Sequence, residues 1–186
     1  MPLIKQLSSL ISMSPRLEQE IRSRMQTLVF NKGDSLLGAG ERCNNLYFIH
    51  KGLLRGYYFT DGKEVTNWFA QEGEFATCFY AFIANKPSFE HIQALEDVEL
   101  SALSYASLQE LYNHFPETER IGRLVTETYY IRLEERLLGL QFKTARERYE
   151  NLVAAKPLLL QRASLGQIAS YLGITQETLS RIRAGH

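Results

Sequence analysis

Cysteine is nearly absent from this chain. Cys43 and Cys78 are the two among 186 residues, they lie far apart, and no CxxC or Cys/His spacing surrounds them. A structural zinc or iron–sulfur centre has no ligand pattern here, and two reduced thiols without a redox role are expected. The histidines, His50, His91, His114 and His186, show no HxH or HExxH spacing, which argues against a metal-dependent enzyme of the cupin kind. Nucleophile elbow and P-loop are both missing, so catalysis has no residues to rest on. No apolar run approaches the ~18 residues of a membrane span, and the opening MPLIKQLSSLIS lacks the apolar core and cleavage site of a secretory signal. The expectation is a cytoplasmic protein with no membrane partner, no metal and no cofactor. At 45% hydrophobic residues, the chain can bury one large or two small cores without staples.

Net charge is also lacking, at +0, but its distribution is uneven. Residues 1–140 carry 14 Lys/Arg against 18 Asp/Glu, whereas residues 141–186 carry 7 against 3. A basic C-terminal module on an acidic body is the asymmetry expected when one end meets phosphate. The excess is modest, and pairing of two modules in a dimer would strengthen such binding.

The stretch from Leu165 to His186 is the most informative. Apolar Leu165, Ile168, Ala169 and Leu172 precede Gly173, and Ile174, Leu179 and Ile182 follow it. This pattern predicts helix, tight turn, helix: Ala169 permits close approach and Gly173 supplies a positive φ. Ser164 with Gln167 fits a capping box. The second helix shows Thr175, Gln176, Glu177, Ser180, Arg181 and Arg183 to solvent, a set able to hydrogen-bond base edges and phosphates. An ordinary αα-hairpin would share the polar face but has no need of the joint spacing.

Upstream, a short helical pattern over residues 3–11 precedes Ser14-Pro15, which open a second helix with Leu17, Ile21, Met25 and Leu28 on its buried face. From about Phe30 to Leu103, short strand-like runs alternate with glycine turns, among which Asp61-Gly62 is the clearest hairpin signal. A short helix near Ser107 to Phe115 follows. The segment from Pro116 to about Leu140 reads as one long helix. Ile121, Leu124, Thr128 and Ile131 repeat in alternating steps of three and four, as a dimer seam would, and Val125, Tyr129, Leu133, Leu137 and Leu140 line a second face. Both faces could instead be internal core. The aromatic group Trp68, Phe69, Phe75, Phe79, Tyr80, Phe82 and Phe89 reads as core or as the lining of an apolar pocket.

The order of parts resembles the cyclic-AMP receptor protein/fumarate and nitrate reduction regulator (Crp/Fnr) superfamily. The likeness is carried by Lys32-Gly33-Asp34 with Gly40, by Leu46 to Gly52, by Gly73-Glu74, by Ile168 to Ile174 and by Glu177 to Ile182. It implies an α+β chain. An antiparallel β-roll of jelly-roll (double-stranded β-helix) type with flanking helices would span residues 1–115 as the sensor. A dimerisation helix would follow over 116–140, and a helix-turn-helix over 141–186 with its β-wing absent or truncated. The resemblance further implies a homodimeric transcription regulator on palindromic double-stranded DNA, with RNA polymerase and an unknown small-molecule effector as candidate partners. Base-reading roles fall to Gln176, Glu177, Ser180 and Arg181, while Ser164 and Thr175 are placed to meet phosphate.

Cyclic-nucleotide-binding members hold the phosphate with a Gly-Glu pair and a later Arg-Ser or Arg-Thr pair. Here Gly73-Glu74 is followed by Asn85-Lys86-Pro87-Ser88-Phe89-Glu90-His91, which has no arginine. Ligand residues would then be Gly73, Glu74, Lys86 and Phe89. Glu90 would repel an anionic phosphate, so cyclic AMP is not expected as the effector. A reading from another class is a small-ligand sensor or cupin-like β-roll protein that does not bind DNA.

Overall fold

The computed structural model describes residues 2–185, so His186 lies outside it. Two short helices, α1 (Pro2–Leu10) and α2 (Pro15–Arg24), open the chain. Strands β1 (Gln26–Phe30), β2 (Ser35–Leu37), β3 (Asn45–Lys51), β4 (Leu54–Thr60), β5 (Lys63–Ala70) and β6 (Phe75–Ala76) lead to helix α3 (Phe79–Ala84). Then come β7 (His91–Ala94), β8 (Val98–Ser104), α4 (Tyr105–His114) and the long α5 (Pro116–Phe142). The C-terminal helices are α6 (Ala145–Ala155), α7 (Leu159–Arg162), α8 (Leu165–Leu172) and α9 (Gln176–Ala184).

The eight strands form two antiparallel sheets, ordered β1-β8-β3-β6 and β2-β7-β4-β5, as an antiparallel roll of α+β class requires. Phe48, Ile49, Leu54, Ile92 and Leu100 are fully buried at their shared core. Helices α1, α2, α4 and the start of α5 close this core with Leu3, Leu17, Leu111 and Ile121. Asp61 and Gly62 both have positive φ, at 51° and 73°, joining Thr60 to its partner Lys63 as a two-residue hairpin turn demands.

Two local expectations change. Met25 and Leu28 do not extend α2: Met25 is its extended C-cap, and Leu28 pairs with Leu100 within β1. The run Leu28-Val29-Phe30 fits either period over so few residues, and pairing with β8 decides it. The helix near Ser107 begins earlier, because the Ser104 hydroxyl accepts from the Ser107 amide as N-cap.

A second core joins the C-terminal helices to the roll. Leu53, Phe69 and Leu95 of the roll pack with Tyr149, Leu152, Leu159, Ile168, Leu172 and Leu179. Burying each such side chain contributes about 1.5–3 kcal/mol. Helix α8 lies along the edge strand β5, where the Ser170 hydroxyl accepts from the Thr66 amide at 2.9 Å and donates to the Glu64 carbonyl at 3.2 Å. These bonds satisfy main-chain groups that an open sheet edge would leave unpaired.

Candidate functional site

The turn between α8 and α9 is built as its residues require. Gly173 caps α8 at φ +66°, and the Ile174 amide reaches back to the Ala169 carbonyl at 3.0 Å, the six-to-one bond of a left-handed helix cap. Ser164 and Gln167 form a reciprocal capping box at the start of α8. Thr175 caps α9 by accepting from the Thr178 amide at 3.2 Å. Leu179 and Ile182 are buried on the inner side of α9, while Gln176, Glu177, Ser180, Arg181 and Arg183 are all exposed on its outer side. The Glu177 amide at the free end of the helix, then the Thr175 hydroxyl and Arg181, hold the Glu177 carboxyl below its ordinary range. It therefore stands as an ionised acceptor. The hydroxyls of Ser164 and Thr175 accept within their caps; that of Thr175 is further engaged with Glu177 and Thr178.

The basic excess of the C-terminal segment divides into two uses. Arg148 donates to the Leu172 carbonyl at 2.8 Å, Lys156 to the Phe69 carbonyl at 3.1 Å, and Arg162 to Glu72 and Glu96. These three hold the helices together and onto the roll. Lys143, Arg146, Arg181 and Arg183 are exposed. Arg146, which no sequence pattern singles out, comes close to the end of α9: a Cβ at Gly185 would stand 3.3 Å from its guanidinium.

In the roll, the four candidate ligand residues are not brought together. Gly73 lies in a turn with φ +80°, and the Glu74 carboxylate is engaged by Arg132 of α5 at 2.9 Å, by Lys156, the C-cap of α6, and by the Gln71 amide. Glu74 thus ties the roll to two helices. Lys86 is exposed. Phe89 lies against Tyr58 and Tyr80 and lines a cavity of about 410 Å³ between α3 and α5. The same cavity is lined by Glu90, Cys78, Phe79, Tyr129 and Tyr130. Among the described residues, no cluster of His, Cys, Asp or Glu could hold a metal ion.

Helix α5 is apolar on two sides with different fates. Ile121 is buried in the chain's own core, and Tyr129 stacks on Phe79 with centroids 3.9 Å apart. Ile121 therefore drops out of the expected seam, because the N-terminal turns of α5 lie against α1 and α4. Leu124 is half-buried and Thr128 is exposed. Ile131, Leu138 and Phe142 are 56%, 45% and 78% exposed. No helix among the described residues is long and apolar enough to cross a membrane.

Residues 27–115 match the cyclic nucleotide-binding domain family. Over 165 residues the chain is 31% identical to the fumarate and nitrate reduction regulatory protein of Vibrio cholerae serotype O1, a match covering 81% of this chain. It spans 64% of the length of that relative. Among solved structures, FixK2 from Bradyrhizobium japonicum superposes with a TM-score of 0.77 at 21% identity, covering 87% of this chain and 83% of that one. A transcriptional regulator of the Crp/Fnr family from Eubacterium rectale gives 0.72 at 17% identity, covering 93% and 83%. The fold is that of both structures. With a roll matching the cyclic nucleotide-binding domain, a long helix behind it and a capped helix-turn-helix, the chain is similar in fold to the Crp/Fnr family.

Proposed function

We propose that this protein is a cytoplasmic, DNA-binding transcription regulator that acts as a homodimer and is not an enzyme. The observation that carries the reading is α9: its inner side is fixed in a core shared with the roll, and its outer side presents Gln176, Glu177, Ser180 and Arg181 to solvent. Arginine can grip guanine O6/N7, glutamate accepts from cytosine N4, and serine and glutamine take either role. Ser164, Thr175, Arg146 and Arg183 flank that row and are suited to phosphate.

The division of labour follows the chain: a sensor roll over 1–115, a dimer helix over 116–140 and a DNA-binding unit over 141–186. The stripe of half-buried Leu124 and exposed Thr128, Ile131 and Leu138 supplies the seam between subunits. Gln, Glu and Arg side chains on paired α9 helices would then face successive major grooves, about 34 Å apart. RNA polymerase is the downstream partner in this reading. Cyclic AMP is not the effector, because the segment from Asn85 to His91 has no arginine and buries the carboxyl of Glu90 instead.

Selection from a randomised duplex pool tests this reading. The expected outcome is a palindromic motif whose half-site centres lie one helical turn apart, bound with an affinity that falls steeply as salt rises. A pool that enriches no motif overturns it.

A further inference from the structure

Glu90 is 3% exposed, and among the described residues its carboxyl group is met by neutral donors. The Asn67 amide donates to one oxygen and the Trp68 indole to the other, the latter at 3.2 Å. Both carboxyl oxygens therefore act as acceptors. No salt bridge to it occurs among the described residues. The guanidinium of Arg136 is turned away, onto the carbonyls of Thr66 and Tyr171. A buried carboxyl group with no cationic partner of its own is a ready counter-charge for a cation that enters beside it.

The surroundings of Glu90 define what could arrive. The cavity of about 410 Å³ falls near the small end of ligand sites. Its walls include the stacked rings of Phe79 and Tyr129. Burial, then the charges of Glu90 and Cys78, push the Tyr129 phenol up to about 12, so this wall stays neutral. At the mouth, Tyr80, Phe89 and Tyr130 are 53%, 52% and 60% exposed, an aromatic rim larger than the chain itself covers. Ring faces attract cations and repel anions.

We propose that this cavity binds a small organic cation, with its ammonium paired to Glu90 and its apolar body lying among the aromatic rings. This assignment deepens the reading of the chain as an effector-controlled regulator and rests on it for its role, though binding itself does not require DNA. The walls belong to both the roll and α5, through Phe79 and Tyr129, so an occupant would touch the helix that carries the proposed seam. Anions are excluded by the same carboxylate.

Trp68 is the one tryptophan of the chain, and its indole bonds directly to Glu90, so its fluorescence reports on the site. The intact protein is titrated with tetramethylammonium and 2-phenylethylammonium, and in parallel with neutral 2-phenylethanol, anionic phenylacetate and cyclic AMP. Saturable quenching by at least one ammonium probe is expected. The alcohol should bind at least about tenfold more weakly than its ammonium counterpart, since a charge-assisted contact is lost. Phenylacetate and cyclic AMP should not compete. Glu90→Gln keeps the size of the side chain, removes its charge and should bring ammonium and alcohol affinities together. An alcohol that binds wild-type protein as well as the ammonium, an anion that binds more tightly, or silence from both ammonium probes overturns the proposal. The wild-type ranking stands even when Glu90→Gln fails to fold. DNA affinity is measured separately: cation binding without DNA binding refutes the regulatory reading alone, and the reverse refutes the pocket alone.

Discussion

Replacing Arg162 by alanine should loosen the C-terminal helices from the roll, and the size of the effect follows from the contacts it removes. Arg162 forms a fork onto Glu72 at 2.8 and 2.9 Å and onto Glu96 at 2.6 and 2.9 Å. The guanidinium holds the Glu72 carboxyl at about 2 instead of its usual 4.5. At full strength a shift of that size would correspond to about 3 kcal/mol. The Glu72 side chain is 42% exposed, however, and water screens such a pair to about 1 kcal/mol. With Glu96 added, and two carboxylates left facing each other, Arg162→Ala should cost about 1–2 kcal/mol at neutral pH. Because the folded value of Glu72 lies below its unfolded one, this stabilisation is complete above pH 4.5 and fades as pH falls towards 2. Urea titrations of both proteins between about pH 7 and pH 3 check the reasoning. A gap between them that stays constant across that range would refute it.

Other consequences are equally specific. A Cβ at Gly56 would stand 2.1 Å from the Trp68 indole, so Gly56→Ala should displace that ring, break its bond to Glu90 and shift the emission of the single tryptophan. Ile131→Glu should dissociate the proposed dimer and weaken DNA binding together, because a charge would be buried unpaired in the proposed seam; a dimer that survives in analytical ultracentrifugation rules out this face. Leu179 is fully buried between α8 and α9, and Leu179→Ala should cost about 2–5 kcal/mol, abolishing DNA binding while the Trp68 emission of the roll is retained.

What was legible in the sequence was local. The helix-turn-helix could be read because Gly173, the Ser164–Gln167 box and the Thr175 cap each satisfy backbone groups within a few residues. Asp61-Gly62 declared its hairpin for the same reason. Long-range pairings left no such trace. Nothing around Ser170, Lys156 or Arg162 indicates partners about a hundred residues upstream, at Thr66, Phe69 and Glu72, and of the seven basic residues of the segment three, Arg148, Lys156 and Arg162, are engaged internally. Glu74 was placed by its glycine neighbour, but its carboxylate serves α5 and α6. The period of α5 puts Ile121 in the seam pattern, but Ile121 lies under α1 and α4. Glu90 was recognised as an obstacle to phosphate, yet its burial beside Asn67 and Trp68 needed the register of β5 against β4, and the packing of the segment from Ser88 to Glu90, to become visible.

Helix α9 is proposed to read DNA through its exposed face. The most direct measurement compares wild-type protein and Arg181→Ala on the duplex motif that selection yields, with every base pair of one half-site varied in turn. Loss of a bidentate base contact should cost about 1–3 kcal/mol and relax preference at a single position, leaving the other positions unchanged. An Arg181→Ala protein with wild-type affinity and an unchanged motif would contradict the account.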